Sequence, residues 1–193
     1  MFENTITKEE IAQLPKAVYS GNIKVVSSLQ ELNQWLPVLL KEAVIGFDTE
    51  TRPSFKKGHL NGIALLQLAT HEIALLIRLK EVGLPSELID ILENPKILKI
   101  GAAIRDDIKS LKKLNGFTPD GFIDLQSIVS EYGIESLSVR KLAAIVLGQK
   151  VSKSQQLSNW ESNTLTDAQQ QYAAIDAWIC REIYLKLITS KIK

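Results

Sequence analysis

The run Ala43-Val44-Ile45-Gly46-Phe47 passes without a break into Asp48-Thr49-Glu50. Consecutive apolar residues, rather than alternating ones, mark a central strand covered on both faces. Such a strand needs neighbours to pair with and layers to hide under, which narrows the chain to folds built around a sheet. Ile23 to Val26 reads as a short strand. Gly62 to Ala69 and Glu72 to Leu79 read as two more, joined through Thr70-His71 as a hairpin, and Ile97 to Ala103 as another buried strand. Helical patterns fill the intervals: Ser28 to Lys41, Glu87 to Glu93, Arg105 to Leu114, Ser138 to Leu147, and the long amphipathic stretch Thr166 to Leu187. The order gives an α/β domain with a mixed sheet, because the hairpin imposes antiparallel pairing among strands otherwise joined by crossovers. Residues 1–22, polar and interrupted by Pro15, are expected to pack on the outside of a domain spanning 23–193.

The chemistry concentrates where carboxylates interrupt apolar sequence. Asp48 and Glu50 stand at i and i+2 on a strand, so both side chains leave the same face of the sheet. They repel each other, and Ala43 to Thr51 holds no Lys, Arg or His to neutralise them. Asp107 shares a helix face with Ile104, Ile108 and Leu111, the inward one, whereas Asp106 falls outward with Lys109, Ser110 and Lys113. Asp176 is the only charged residue between Ala173 and Cys180, and Tyr172 lies one helical turn before it. An ionised carboxylate in apolar surroundings costs several kcal/mol. Either each is neutral or separately paired, or a common cation supplies the missing charge. The second accounts for three awkward sites with one cause, and hard oxygen donors suit Mg²⁺ or Mn²⁺. Two such ions ~3.5–4 Å apart serve in-line phosphoryl displacement. Tyr172, with an ordinary pKa near 10, is placed to orient the attacking water rather than deprotonate it.

Composition excludes other chemistry. One cysteine, Cys180, rules out an internal disulfide and a Cys-based zinc site, and two histidines, His59 and His71, disfavour a His-rich metal centre. A net charge of +1, from 23 Lys+Arg against 22 Asp+Glu, is too balanced for a protein that coats duplex nucleic acid, but it permits an enzyme holding one strand end. The N-terminus lacks a basic stretch followed by an apolar run, and no apolar run approaches the ~20 residues of a membrane span. The expectation is a soluble, cytoplasmic protein with no membrane partner.

The ordered set Asp48-x-Glu50, Asp107, Tyr172-x-x-x-Asp176 resembles the three motifs of the DnaQ-like, DEDD-type 3′–5′ exonucleases in their tyrosine subgroup. Phe47 to Glu50, Gly62 to Leu68, Ser158-Asn159-Trp160 and Leu165 through Tyr184 are similar to the Werner syndrome protein exonuclease domain and its bacterial and plant relatives, and the set is also akin to RNase D. The resemblance covers roughly Ile23 to Leu187. It implies a ribonuclease H-like fold, with helices on both faces of a five-stranded mixed sheet. It implies two divalent ions, Mg²⁺ or Mn²⁺. Asp48, Glu50 and Asp176 would hold the tighter one, Asp48 would bridge to the second, Asp107 would act through water, and Tyr172 would orient the nucleophile. The implied partner is the 3′ end of DNA or RNA, cleaved to nucleoside 5′-monophosphates. Thr49, Arg52, Lys56 and Lys57 are the expected substrate contacts around the first motif, with Lys150 and Lys153 as further phosphate-holding candidates. Trp160 either stacks at the mouth of the site or packs a helix. The competing readings are a non-catalytic nucleic-acid-binding module, an oligoribonuclease-like scavenger of short oligonucleotides, and an endonuclease on the same fold.

Overall fold

The computed structural model describes residues 2–53 and 61–191. Lys56, Lys57 and His59 lie outside the described residues. Six strands form one sheet: β1 (Asn22–Val26), β2 (Val44–Thr51), β3 (Ile63–Ala69), β4 (Ile73–Arg78), β5 (Leu98–Gly101) and β6 (Phe122–Asp124), in the order β1-β4-β3-β2-β5-β6. The helices are α1 (Lys8–Gln13), α2 (Leu29–Leu39), α3 (Leu79–Val82), α4 (Ser86–Leu92), α5 (Arg105–Leu114), α6 (Leu125–Ile128), α7 (Val139–Leu142) and α8 (Asp167–Ser190). β1 runs parallel to β4, and β2 parallel to β5, which is parallel to β6. Only β3 opposes its neighbours, pairing antiparallel with both β2 and β4. The hairpin between β3 and β4 closes on Thr70, whose hydroxyl accepts from the backbone N–H of Glu72 at 3.1 Å and of Ile73 at 3.0 Å.

The sheet has six strands where five were expected. β6 is three residues long, follows Gly121 and runs directly into α6, so it is too short for hydrophobic periodicity to register. The stretch expected as one helix over 138–147 is capped by the Ser138 hydroxyl and begins as α7, then loosens into a π turn over Ala143–Leu147.

Apolar layers cover both faces. Leu32, Leu36 and Leu39 of α2, Leu88, Ile91 and Leu92 of α4 and Leu111 of α5 pack on one face with Ile45 and Phe47 of β2. On the other, α8 packs with Leu125, Leu142 and Ala143 over Ile100, and presents Ala173 to Leu65 and Leu76. The chain ahead of β1 lies against this second side. Lys16 bridges to Lys150, Tyr19 is buried with its ring 5.7 Å from that of Trp178, and the Asn4 carbonyl accepts from Glu135 N–H at 2.9 Å. Among the described residues no helix is long and apolar enough to cross a membrane.

One glycine sets how closely α8 approaches β2. A Cβ built on Gly46 would stand 1.9 Å from the Ala177 carbonyl oxygen. The helix that carries Asp176 therefore rests on the backbone of the strand that carries Asp48. Gly46→Ala must push α8 outward or fail to pack, at the upper end of the ~1–3 kcal/mol cost of overpacking. The expected result is a fall in Tm of roughly 5–10 °C by circular dichroism; an unchanged Tm would show that the contact yields freely.

Candidate metal and nuclease site

β2 alternates across the sheet. Ile45 and Phe47 face the α2/α4/α5 layer, which sends Asp48 and Glu50 to the α8 side. α8 delivers Asp176 to the same place across Gly46, and Tyr172 stands one turn earlier on the same helix. Asp48, Glu50 and Asp176 each offer a carboxylate oxygen, and the three atoms lie within 4.8 Å of one another. None of these carboxylates forms an ion pair with a lysine or arginine among the described residues.

The electrostatics follow from this crowding. Burial first, then the charges of Asp176 and Asp107, push Asp48 well above the ordinary carboxylate range. Burial and the neighbouring Asp48 raise Glu50 to about 9. Asp176 is raised by burial to about 7, with the Tyr172 hydroxyl and the positive charge of Lys153 pulling the other way. Tyr172 is itself raised, by burial and then by Asp176 and Glu50, so the phenol keeps its proton. Three hard oxygen donors that cannot comfortably ionise together, with no protein cation bound to them, are chemically suited to a divalent metal ion.

Asp107 reaches the site from the other layer. It is half-buried in the first turn of α5 while Asp106 beside it is exposed, as the helix-face argument requires. Its carboxylate accepts a hydrogen bond from the Thr49 hydroxyl. Burial raises its pKa and this hydrogen bond opposes the rise. Asp107 stands outside the close triad but near enough for its charge to act on both Asp48 and Glu50. The Thr49 hydroxyl, expected to touch substrate, donates to the Asp107 carboxylate.

The turn that launches α5 is strained. Ala103 has φ 58°, in the left-handed region. Asp124, at the end of β6, keeps it there: its carboxylate accepts from the N–H groups of Ala103 at 3.0 Å and Ile104 at 3.2 Å, and also caps α6 through Gln126 N–H at 2.9 Å. Sequence reasoning missed Asp124 because the strand ending in it was itself missed.

Two cavities flank the carboxylates. One, of about 200 Å³, is lined by Asp48, Tyr172 and Asp176 together with Ser138, Arg140 and Lys153. The second, of about 730 Å³, is lined by Arg52, Asn61, Asp107, Lys109 and Lys113 among others. Arg52 thus borders a groove beside the site, with its guanidinium paired to Glu161 at 3.3 Å. Lys153 lines the first cavity, but the Lys150 ammonium is committed to the Ala12 carbonyl. Trp160 is 1% exposed and cannot stack a substrate base; it packs 5.9 Å from the Tyr172 ring and supports that residue from behind. Arg140 and Ser138 went unnoticed because their segment reads as an apolar helix.

The 3′-5′ exonuclease family profile matches residues 23–191. Mouse exonuclease 3′-5′ domain-containing protein 2 is 31% identical over 193 residues, covering 92% of this chain and 29% of that protein. The mouse bifunctional 3′-5′ exonuclease/ATP-dependent helicase WRN is 33% identical over 150 residues, 75% of this chain and 11% of that protein. The chain thus spans less than a third of the length of either relative. The crystal structure of the Aedes aegypti Nibbler EXO domain matches with a TM-score of 0.81 at 25% identity, covering 92% of this chain and 94% of that one. The shared architecture is the ribonuclease H-like fold.

Proposed function

We propose how this chain works from one premise: it belongs to the 3′-5′ exonuclease family. In our reading it hydrolyses the terminal phosphodiester bond at the 3′ end of DNA or RNA and releases a nucleoside 5′-monophosphate. The observation that carries this is the convergence of Asp48, Glu50 and Asp176 within 4.8 Å, with Tyr172 one turn away and Asp107 alongside. Asp48, Glu50 and Asp176 would hold one divalent cation, Mg²⁺ or Mn²⁺, and Asp48 with Asp107 a second. When bound, such a pair supplies charge to the reacting phosphate and makes water a better nucleophile.

The chain's own groups do the rest. Thr49 fixes the Asp107 carboxylate, and Asp124 fixes the turn before it. Tyr172, backed by Trp160 and one turn before Asp176, keeps its phenolic proton and so orients water by hydrogen bonding rather than by taking a proton from it. Arg140 and Lys153 line the same cavity as Asp48 and Asp176 and would supply positive charge to a phosphodiester bound there. Tyr172→Phe keeps the ring packing and removes the hydroxyl. It is expected to lower kcat by roughly 10–100-fold with KM little changed, since it removes orientation and not strand binding. An equal fall in strand affinity would assign the hydroxyl to substrate instead.

The direct test uses 5′-labelled 3′-recessed DNA and matched RNA, with Mg²⁺, Mn²⁺ or chelator. A metal-dependent ladder shortening from the 3′ end is the expected result, and the preferred polymer sets the sugar specificity. Strand binding without hydrolysis in either metal would favour a non-catalytic module. Cleavage confined to di- and trinucleotides would favour a scavenger, and cutting of a circular single strand an endonuclease.

A further inference from the structure

β3 is buried along its whole length and apolar except at one residue. Gln67, near its centre, is 0% exposed, and neither its amide oxygen nor its amide nitrogen has a hydrogen-bond partner. Among the described residues it is the only side chain with two polar atoms in that condition. An unpaired buried amide opposes folding, and leucine or methionine would occupy the space without that penalty. Its surroundings come from the register. Gln67 lies directly opposite Asp48 on β2, so both side chains leave the same face of the sheet with Cβ atoms ~4.5–5.5 Å apart. Across its other edge stands Leu76, and the next residue on the same face of β3, Leu65, stands opposite Glu50. The buried α8 residues over this region are Ala173, Ala174 and Ala177, with Tyr172 half-buried against the same cluster as Leu65 and Leu76. In the ladder, the one polar side chain beside Gln67 is the Asp48 carboxylate.

We infer that Gln67 is a positioning residue for Asp48: its amide nitrogen is the donor that steadies the carboxylate while Asp48 binds a divalent cation together with Glu50 and Asp176. The inference rests on the metal-site reading above. It explains why an amide is kept in the middle of an otherwise apolar strand. Neutral donors behind a ligating carboxylate hold its orientation without competing for the metal, and their loss typically weakens metal affinity.

The test compares the wild type with Gln67→Met and Gln67→Leu, titrated with Mn²⁺ by calorimetry and melted in chelator. Both variants should melt no lower than the wild type without metal, because the orphaned amide is gone. Their Mn²⁺ affinity should be weaker by about 10–100-fold. Metal affinity within about twofold of the wild type would overturn the inference, leaving Gln67 a tolerated polar core residue. If either variant melts far below the wild type, the side-chain NH₂ resonances of Gln67 in the wild-type protein decide, because they should move as Mg²⁺ is added. Resonances that stay fixed through saturation overturn it. A wild type that binds neither metal overturns the metal reading and this inference with it, whereas intact wild-type binding matched by the variants overturns this inference alone.

Discussion

Asp48→Asn is expected to abolish hydrolysis while leaving the fold in place. Asparagine keeps the size and one oxygen of aspartate but removes the charge, so packing of β2 against α8 should survive. Asp48 is the residue on which the other acidic groups converge: Asp176 and Asp107 are the charges that act on it most strongly, and it is the largest charged influence on Glu50. In the two-ion reading, a cation shared by these groups would have Asp48 among its ligands. Losing that charge should lower kcat by roughly 10³-fold or more at saturating metal, measured on a 5′-labelled oligonucleotide. The same substitution relieves buried like-charge repulsion, so in chelator above neutral pH the variant should melt higher than the wild type. Opposite effects on activity and stability separate a functional carboxylate from one that supports the fold. Activity within tenfold of the wild type would remove Asp48 from the reaction and undermine the two-ion reading.

Different parts of this site were legible for different physical reasons. Asp48, Glu50 and Asp176 stood out because charge interrupts apolar sequence, and burial of charge is costly enough to need an explanation wherever it occurs. Asp107 was separable from Asp106 because a 3.6-residue period places only one of them inward. Contacts that depend on how the helices pack onto the sheet were not legible. Thr49 points away from Asp48 and Glu50, toward the layer containing α5, and its bond to Asp107 spans 58 residues of sequence. Asp124 sits at the end of a three-residue strand, where no periodicity exists to find. For Trp160 the sequence allowed both a stacking role and a packing role, with packing favoured. Gln67 belonged to a recognisable string of residues, but its position beside Asp48 is a matter of register, which depends on where the hairpin turns.

Removing metal should make the protein increasingly unstable as pH rises, and restoring it should reverse the trend. In the unfolded chain the acidic groups titrate near their ordinary values, ~4. In the fold, burial and mutual repulsion raise Glu50 to about 9 and Asp176 to about 7, and raise Asp48 and Asp107 as well. From about pH 4 to about pH 9 the native state therefore binds more protons than the unfolded state, so stability falls across that window. The penalty is absent at the acidic end, where both states are protonated, and complete at the alkaline end, where both are ionised. A divalent cation requires ionised ligands, displaces their protons and removes the repulsion. The gain in Tm on adding Mg²⁺ should then be small near pH 5.5 and largest near pH 8.5, and calorimetry at pH 7 in buffers of different ionisation enthalpy should show about one or more protons released per protein. Other groups also shape the pH dependence of the wild type, so the decisive quantity is the difference from Asp48→Asn and Glu50→Gln, which should each flatten the slope in chelator. A metal-free Tm that climbs from pH 5 to 9, with the two variants running parallel to the wild type, would mean that these carboxylates are not the strained, proton-holding cluster their geometry describes.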